Sequence, residues 1–194
     1  MIQSLAISDV KLITPKRFGD ARGFFSETWN SKLLRDEGID LEFVQDNHSY
    51  SAARGVLRGL HFQNLPHAQD KLVRCTRGRV YDVAVDIRRG SPTFGQYVGA
   101  ELSAENWAQI LVPKGFAHGF VTLEDHCELQ YKVTDYYAPE CDMSIRWNDP
   151  AIGIDWMIDP SVVTLSEKDA SAPLLSEVEC GFVYKSAHAG SGQG

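Results

Sequence analysis

The sequence predicts an all-β protein, built as a sandwich or closed barrel of many short strands with a few short helices. Runs rich in β-branched and aromatic residues recur along most of the chain, and turns that contain Gly or Pro separate them. Helix signals are few and short. Closure of such strands into a barrel leaves an interior that can hold one small ligand.

Length, charge and cysteine content narrow the class of protein. The 194 residues suggest one domain, at 1–185, followed by a Gly- and Ser-rich tail, 186–194, that we predict to be disordered. The net charge of -7 argues against nucleic acid as a partner, and no apolar run approaches the length of a membrane span. The 4 scattered cysteines form no CxxC pair. They predict free thiols in a reducing cytosol, hence a cytoplasmic protein without a disulfide framework or a zinc site.

Strands are predicted where β-forming residues alternate with polar ones between turns. The predicted strands cover residues 2–13, 24–29, 55–63, 71–76, 79–87, 96–102 and 128–133. We expect the two strands that flank Arg77 and Gly78 to pair as a hairpin around that tight turn. A Gly-rich turn at 114–120 leads into a further strand.

Two short helices carry capping signals. The Asn-Ser pair at 30–31 precedes a predicted helix at 32–37, which Gly38 closes. Ser166 and Asp169 have the spacing of a capping box and predict a second helix start.

The stretch 55–63, with the sequence GVLRGLHFQ, places a guanidinium and an imidazole among apolar β-forming residues. A buried guanidinium is costly unless it meets an anion, and an imidazole titrates near neutral pH. Arg58 and His61 therefore mark the wall of a site, or else Arg58 pairs with a structural carboxylate and His61 is a core histidine. Strict alternation places the two on opposite faces of the strand, unless Gly59 marks a bulge that turns one of them.

Eight sequence blocks occur in the order in which one known family carries them. The blocks are Asp20-x-Arg22-Gly23-x-Phe25-x-Glu27, Gln45-x-Asn47-x-Ser49, Gly55-Val56-Leu57-Arg58-Gly59-Leu60-His61-x-Gln63, Gln69-x-Lys71-Leu72-Val73, Pro113-x-Gly115-Phe116-Ala117-His118-Gly119-Phe120, Tyr131-Lys132, Trp147-Asn148-Asp149-Pro150 and Leu165-Ser166-x-Lys168-Asp169. One block alone is a weak signal, but their order over roughly residues 10–170 is specific. With these blocks the chain resembles the dTDP-4-dehydrorhamnose 3,5-epimerases.

The resemblance implies a cupin-type double-stranded β-helix, or jelly-roll barrel, that forms a homodimer and uses neither a metal nor an organic cofactor. It also implies that the N-terminal strand crosses to the partner subunit. The implied reaction converts dTDP-4-dehydro-6-deoxy-D-glucose to dTDP-4-dehydro-L-rhamnose. The 4-keto group acidifies the protons on carbons 3 and 5 of the sugar. Inverting both carbons requires a base on one face, an acid on the other, and a group that stabilises the enolate.

By resemblance, four residues perform the proton chemistry. His61 is the base, because an imidazole with a pKa of about 6.5 is largely neutral at pH 7. Asp169 orients the imidazole, Tyr131 is the acid on the opposite face, and Lys71 is the cation beside the enolate oxygen. Plainer alternatives remain: Asp169 as a helix-cap acid, Tyr131 as a core aromatic residue, and Lys71 as a solvated lysine at a strand start.

The other matching residues are implied to hold the nucleotide sugar. The cations that meet the diphosphate and the sugar are Arg22, Arg58 and Lys168. The nucleotide and sugar contacts are Glu27, Gln45, Asn47 and His118. Asp142, where the family usually has Glu, is implied to contact the base.

Three other classes of protein remain open. Metal-dependent cupins carry His-x-His and Glu, whereas this chain has Gln63 for the second His and Lys71 near the place of the Glu, where an ammonium would repel a divalent ion. A single-position epimerase or a ketoisomerase on a related dTDP-keto sugar would fit nearly as well. A silent sugar-nucleotide binding module would have no need of His61, Tyr131 and Lys71 together.

Overall fold

A computed structural model describes residues 1–185, and the tail predicted at 186–194 lies outside the described residues. The prediction of an all-β fold is confirmed. The strands are β1 (Ile2–Ser4), β2 (Lys11–Ile13), β3 (Arg17–Asp20), β4 (Gly23–Ser26), β5 (Gln45–Ser51), β6 (Leu57–Gln63), β7 (Lys71–Arg77), β8 (Arg79–Asp86), β9 (Tyr97–Ser103), β10 (Gln109–Val112), β11 (Phe116–Thr122), β12 (Cys127–Val133) and β13 (Asp142–Ser144). The α-helices are α1 (Ser31–Asp36) and α2 (Glu167–Ala170), and short 3-10 turns occupy Pro139–Cys141, Pro160–Val162 and Leu175–Glu177.

The strands assemble into two facing antiparallel sheets and one separate hairpin. The larger sheet has six strands in the order β1-β2-β10-β7-β12-β5, and the smaller has five in the order β13-β6-β11-β8-β9. β3 and β4 pair only with each other among the described strands. Because the chain passes repeatedly from one sheet to the other, the two sheets form a jelly roll of the cupin type.

Alternating side chains divide the apolar residues among three layers. Ile110 of the six-stranded sheet and Phe120 of the five-stranded sheet belong to the core between the sheets. Leu60 and Trp156 belong to a second cluster, where the C-terminal segment covers the outer face of the five-stranded sheet. α1 packs on the opposite side of the molecule, in a third cluster with Leu72. The two outer clusters therefore cover parts of both sheets, and the core fills the space between the sheets.

The prediction of one strand over residues 2–13 is wrong. β1 and β2 instead form an antiparallel pair in which Ile2 lies opposite Ile13. The chain turns between them, where the backbone N–H of Leu5 donates to the carbonyl of Val10 at 3.0 Å. Ser and Asp in this turn favour such a reversal, and they outweigh the weak alternation of the segment.

The predicted hairpin around Arg77 and Gly78 is also wrong. β7 pairs with β10 and β12, whereas β8 pairs with β9 and β11. The turn therefore carries the chain from one sheet to the other. Gly78 has φ 73°, and a Cβ at this position would lie 2.7 Å from Cys127 Sγ. Glycine is required here by both the backbone conformation and the close approach of β12.

Both predicted helices are present within a residue or two of their predicted bounds. Asn30 Oδ1 accepts from the backbone N–H groups of Lys32 and Leu33 at 3.1 and 3.2 Å. Ser166 Oγ accepts from the backbone N–H of Asp169 at 3.1 Å. Within residues 1–185, neither these nor the 3-10 turns are long and apolar enough to cross a membrane.

Candidate active site

A bulge in β6 turns Arg58 and His61 toward the same side of the strand. In the pairing with β11, His61 lies opposite His118 and Arg58 opposite Phe120, so two residues of β6 face one residue of β11. Gly59 occupies the bulge with φ 130°, and a Cβ there would lie 2.6 Å from a backbone atom of β11. The bulge expected at Gly59 is confirmed, and the conflict between alternation and a shared site disappears.

The two sheets enclose a pocket of about 470 Å³ at the mouth of the barrel. Its charged and titratable lining residues are Arg58, His61, Lys71, His118, Tyr131, Lys168 and Asp169. A second pocket of about 280 Å³ adjoins the first and shares His61, Lys71, Tyr131 and Lys168 with it. The two pockets thus form one continuous cleft.

His61 and Asp169 form a hydrogen-bonded pair in this cleft. The distance from His61 Nε2 to Asp169 Oδ1 is 2.5 Å. Burial would raise the pKa of Asp169, but the hydrogen bond and charge of His61 outweigh it and lower the pKa. The backbone N–H of Asp169 meanwhile donates to Ser166. Asp169 therefore takes part in the helix cap through its backbone and in the His–Asp pair through its side chain.

A second His–Asp pair lies deeper in the barrel, and the sequence analysis missed its acid. His118 Nε2 lies 2.8 and 2.9 Å from the two carboxylate oxygens of Asp82, whose side chain is fully buried. Burial raises the pKa of Asp82, while the charges of His118 and Lys71 oppose that shift. An acid within an otherwise apolar run of β8 is the signal that could have identified it, because a buried carboxylate requires a partner.

Lys71 opens β7 and is half-buried in the cleft. Burial lowers the pKa of its ammonium from 10.5 to about 8, although the charges of Asp142 and Asp82 oppose the shift. A lysine with this pKa is still mostly protonated at neutral pH. It supplies a positive charge inside a poorly solvated pocket, which is where a developing oxyanion is best stabilised.

Tyr131 lies on β12 of the six-stranded sheet, opposite Asn47 of β5 and Val73 of β7. Burial raises the pKa of its phenol, and the charge of Arg58 opposes that shift only in part. The phenol is therefore protonated at neutral pH and can donate a proton into the cleft.

Most of the remaining nucleotide-binding candidates line one of these two pockets. Gln45 Nε2 donates to Asn47 Oδ1 at 2.9 Å, and both residues line this pocket. Lys168 Nζ donates to Asp142 Oδ2 at 2.5 Å across the same pocket. Arg58 donates to the carbonyl of Tyr50 at 3.1 Å. The structure thus brings ten of the twelve predicted site residues to one cleft.

Arg22 and Glu27 are the two that the single chain keeps away from the cleft. Arg22 lies in the exposed turn between β3 and β4, where its guanidinium pairs with Asp20 at 2.6 Å. Glu27 follows β4 and accepts from Asn30 Nδ2 at 2.8 Å, beside the N-terminus of α1. Neither side chain lines the two pockets that contain His61.

No group of three His, Cys, Asp or Glu side chains within residues 1–185 is arranged to hold a metal ion. The four cysteines, Cys75, Cys127, Cys141 and Cys180, are buried thiols without disulfide partners. The titratable groups that do converge are two His–Asp pairs, a phenol and two ammonium groups. This set suits proton transfer next to a negatively charged ligand.

A jelly roll whose mouth gathers a His–Asp pair, a phenol and a half-buried ammonium has the groups of an acid–base enzyme built on a cupin-type barrel. The family profile described as dTDP-4-dehydrorhamnose 3,5-epimerase matches residues 4–177. A dTDP-4-dehydrorhamnose 3,5-epimerase of Sinorhizobium fredii is 56% identical over 184 residues, which are 94% of this chain and 93% of the relative. The chain therefore belongs to the dTDP-4-dehydrorhamnose 3,5-epimerase family.

Solved structures agree with this assignment. The crystal structure of a dTDP-6-deoxy-D-glucose-3,5-epimerase from Legionella pneumophila, in complex with dTDP-4-keto-L-rhamnose, has a TM-score of 0.91 and 49% identity. The match covers 96% of this chain and 99% of that one. A dTDP-4-dehydrorhamnose 3,5-epimerase from Bacillus anthracis, with TDP and PPi bound, has a TM-score of 0.86 and 49% identity, and the match covers 90% and 98% of the two chains.

Proposed function

We propose that this chain converts dTDP-4-dehydro-6-deoxy-D-glucose to dTDP-4-dehydro-L-rhamnose, with His61 as the base and Tyr131 as the acid. One observation carries the assignment of these roles. His61 belongs to the five-stranded sheet and Tyr131 to the six-stranded sheet, yet both line one cleft. A sugar held between the sheets therefore has the imidazole on one face and the phenol on the other, as inversion at carbon requires.

The proton transfers follow from the contacts of these side chains. Asp169 holds His61 Nε2, so Nδ1, which has no hydrogen-bond partner within residues 1–185, takes the proton from carbon. The carboxylate then stabilises the imidazolium that forms. The ammonium of Lys71 holds the negative charge on the enolate oxygen. Tyr131 returns a proton to the opposite face of the same carbon, and solvent restores both residues to their starting states.

The charge of the cleft suits a nucleoside diphosphate. Arg58 and Lys168 contribute positive charge at the rim of the larger pocket, although the whole protein carries a net charge of -7. Gln45 and Asn47 supply amide groups in the adjoining pocket, where a base and a sugar can be hydrogen-bonded. The solved relatives that hold dTDP-linked sugar or TDP support this class of ligand.

We also propose a homodimer in which each subunit supplies Arg22 and Glu27 to the cleft of its partner. The hairpin of β3 and β4 stands apart from both sheets and exposes Phe18 and Phe25. A second copy of the chain would cover these aromatic residues. Co-expression of Arg22→Ala and His61→Ala chains tests this arrangement, because only mixed dimers have one complete cleft. Recovery of about a quarter of the wild-type activity is expected, and no recovery would contradict it.

The decisive experiment on the reaction is exchange in heavy water. The keto sugar nucleotide is incubated with the protein, and deuterium is located in the product. Label at both carbon 3 and carbon 5 supports the 3,5-epimerase. Label at one carbon only would instead favour a single-position epimerase, and a new position of the keto group would favour a ketoisomerase.

Two further expectations have their own tests. The absence of a metal requirement is tested by elemental analysis of protein purified without added metal, and stoichiometric iron, manganese or zinc would overturn it. The four unpaired thiols support a reducing, cytoplasmic location. Fractionation of cells that express the tagged chain would show whether it is found there.

A further inference from the structure

The ion pair between Lys168 and Asp142 joins two segments that border the cleft. Lys168 belongs to α2, directly before Asp169, and Asp142 opens β13. Lys168 Nζ lies 2.5 Å from Asp142 Oδ2, and the hydroxyl of Tyr137 donates to the same oxygen at 3.3 Å. The ammonium that the proposed function assigns to the diphosphate therefore already has an anionic partner.

The position of Asp142 is fixed by its strand. β13 pairs with β6, with Asp142 opposite Gln63 and Ser144 opposite His61. The side chain of Asp142 is 20% exposed, and that of Lys168 is 52% exposed. The carboxylate is thus held beside the cleft, whereas the longer lysine side chain has room to move.

We propose that Asp142 is the resident counter-ion of Lys168, which the diphosphate of the ligand must displace, and that it is not a contact to the base. The inference rests on the proposed function, because it assumes a nucleoside diphosphate in the cleft. Asp142 weakens nucleotide binding and so favours release of the product. It thereby sets the affinity for the anionic part of the ligand without touching the sugar.

Two physical arguments support this role. A half-exposed ion pair contributes little to stability, so the exchange of carboxylate for phosphate on Lys168 is readily reversible. Once displaced, the carboxylate remains near the phosphate and repels it.

The test measures binding of dTDP and of inorganic diphosphate to Asp142→Asn by calorimetry. Both ligands should bind about 3- to 10-fold more tightly than to the wild-type protein, because the competing charge is gone. The matched control is Glu140→Gln, which changes the net charge equally. Glu140 is exposed two residues away and forms no ion pair within residues 1–185. It should leave both affinities unchanged.

Each other outcome is informative. Weaker binding of dTDP with unchanged binding of diphosphate would show that Asp142 contacts the base, and would overturn the inference. An equal gain in Glu140→Gln would reduce the effect to net charge and overturn it as well. A wild-type protein that binds neither ligand would contradict the proposed function itself.

A pH profile adds a readout that a merely structural residue would not move. The charge of Asp142 raises the pKa of Lys71, so the alkaline limb of deuterium exchange should shift to lower pH in Asp142→Asn. An unshifted limb would contradict the role of Asp142 as a counter-ion in the cleft. Asp142→Ala repeats both measurements if the Asn variant folds poorly.

Discussion

The barrel contains two His–Asp pairs that are chemically alike and differently placed. His61 and His118 lie directly opposite each other on neighbouring strands. The side chain of His61 is 31% exposed and that of its partner Asp169 is 4% exposed. For His118 and Asp82 the exposed fractions are 10% and 0%. The first pair opens into the cleft, whereas the second is embedded in the wall behind it.

Because the two pairs have the same residue types, burial is what distinguishes the roles that we propose for them. Asp169 holds only one imidazole nitrogen and leaves the other facing the cleft, so His61 can exchange a proton with a ligand. Asp82 is bound through both oxygens and also acts on the charge of Lys71. The outer pair is thus suited to move protons, and the inner pair is suited to hold a cation in its charged state.

The sharpest test of this comparison removes each imidazole in turn. His61→Asn should reduce deuterium exchange into the substrate by roughly 10³-fold, because the base is lost. His118→Asn should cost far less exchange, since its ring is not the one that takes the proton. Binding of dTDP, measured by calorimetry, should persist in His61→Asn. Comparable loss of exchange in both variants would remove the distinction between the pairs.

Removing the acid should separate two measurements that coincide in the wild-type protein. In Tyr131→Phe, His61 can still remove a proton and return one to the same face. Deuterium should therefore still enter the substrate, while inversion falls by roughly 100-fold or more. Mass spectrometry measures the first quantity and product stereochemistry the second. Parallel loss of both would show that Tyr131 does not act on the opposite face.

Replacing Asp169 and replacing Asp82 should change deuterium exchange by different amounts and with a different dependence on pH. Asp169→Asn removes the charge that stabilises the imidazolium of His61, and we expect roughly 100-fold slower exchange at pH 7. Asp82→Asn keeps an acceptor for His118 and should slow exchange only a few-fold at pH 7. Its main effect should be a shift of the alkaline limb to lower pH, because Asp82 helps to keep Lys71 charged. Similar pH profiles of exchange for the two variants would contradict the different roles proposed for the two pairs.

The sequence predicts the outer pair much better than the inner one. Gly59 indicates the bulge beside His61, and Ser166 indicates the start of the helix that contains Asp169, so both members of the outer pair lie next to local signals. Asp82 lies in the run YDVAVD, which contains a second acid, Asp86. Asp86 is held by Arg88 instead. Only the pairing of β8 with β11 separates the two acids, and strand pairing is not a local property.

The same limit explains the errors in the fold. A tight turn at Gly78 is visible in the sequence, but the sheet to which each flanking strand belongs is decided by distant partners. Arg22 and Glu27 match family blocks, but a sequence block gives only the position of a residue along the chain. It does not show which side chains lie near that residue in the folded protein. In the homodimer that we propose, both reach the cleft of the partner subunit, and no pattern within one chain can reveal this.

The smallest predicted effect concerns the cation between the two pairs. The pKa of Lys71 is about 8, so the ammonium is lost as the pH rises above that value, and exchange should fall several-fold by pH 9. Lys71→Arg keeps a charge at all these pH values. Deuterium exchange catalysed by Lys71→Arg should be slower at every pH, but it should not fall as the pH rises past 8.

Stability should change in the opposite direction over the same range. Between pH 8 and 10.5 the unfolded chain binds the Lys71 proton and the folded protein has lost it. The folded state therefore becomes more stable relative to the unfolded state as the pH rises through this window. Denaturant titrations of the wild-type protein and Lys71→Arg at several pH values measure this gain as a difference that other titrating groups do not contribute to. A constant difference would mean that burial does not lower the pKa of Lys71, and Lys71 would then need no help from the inner pair to stay charged.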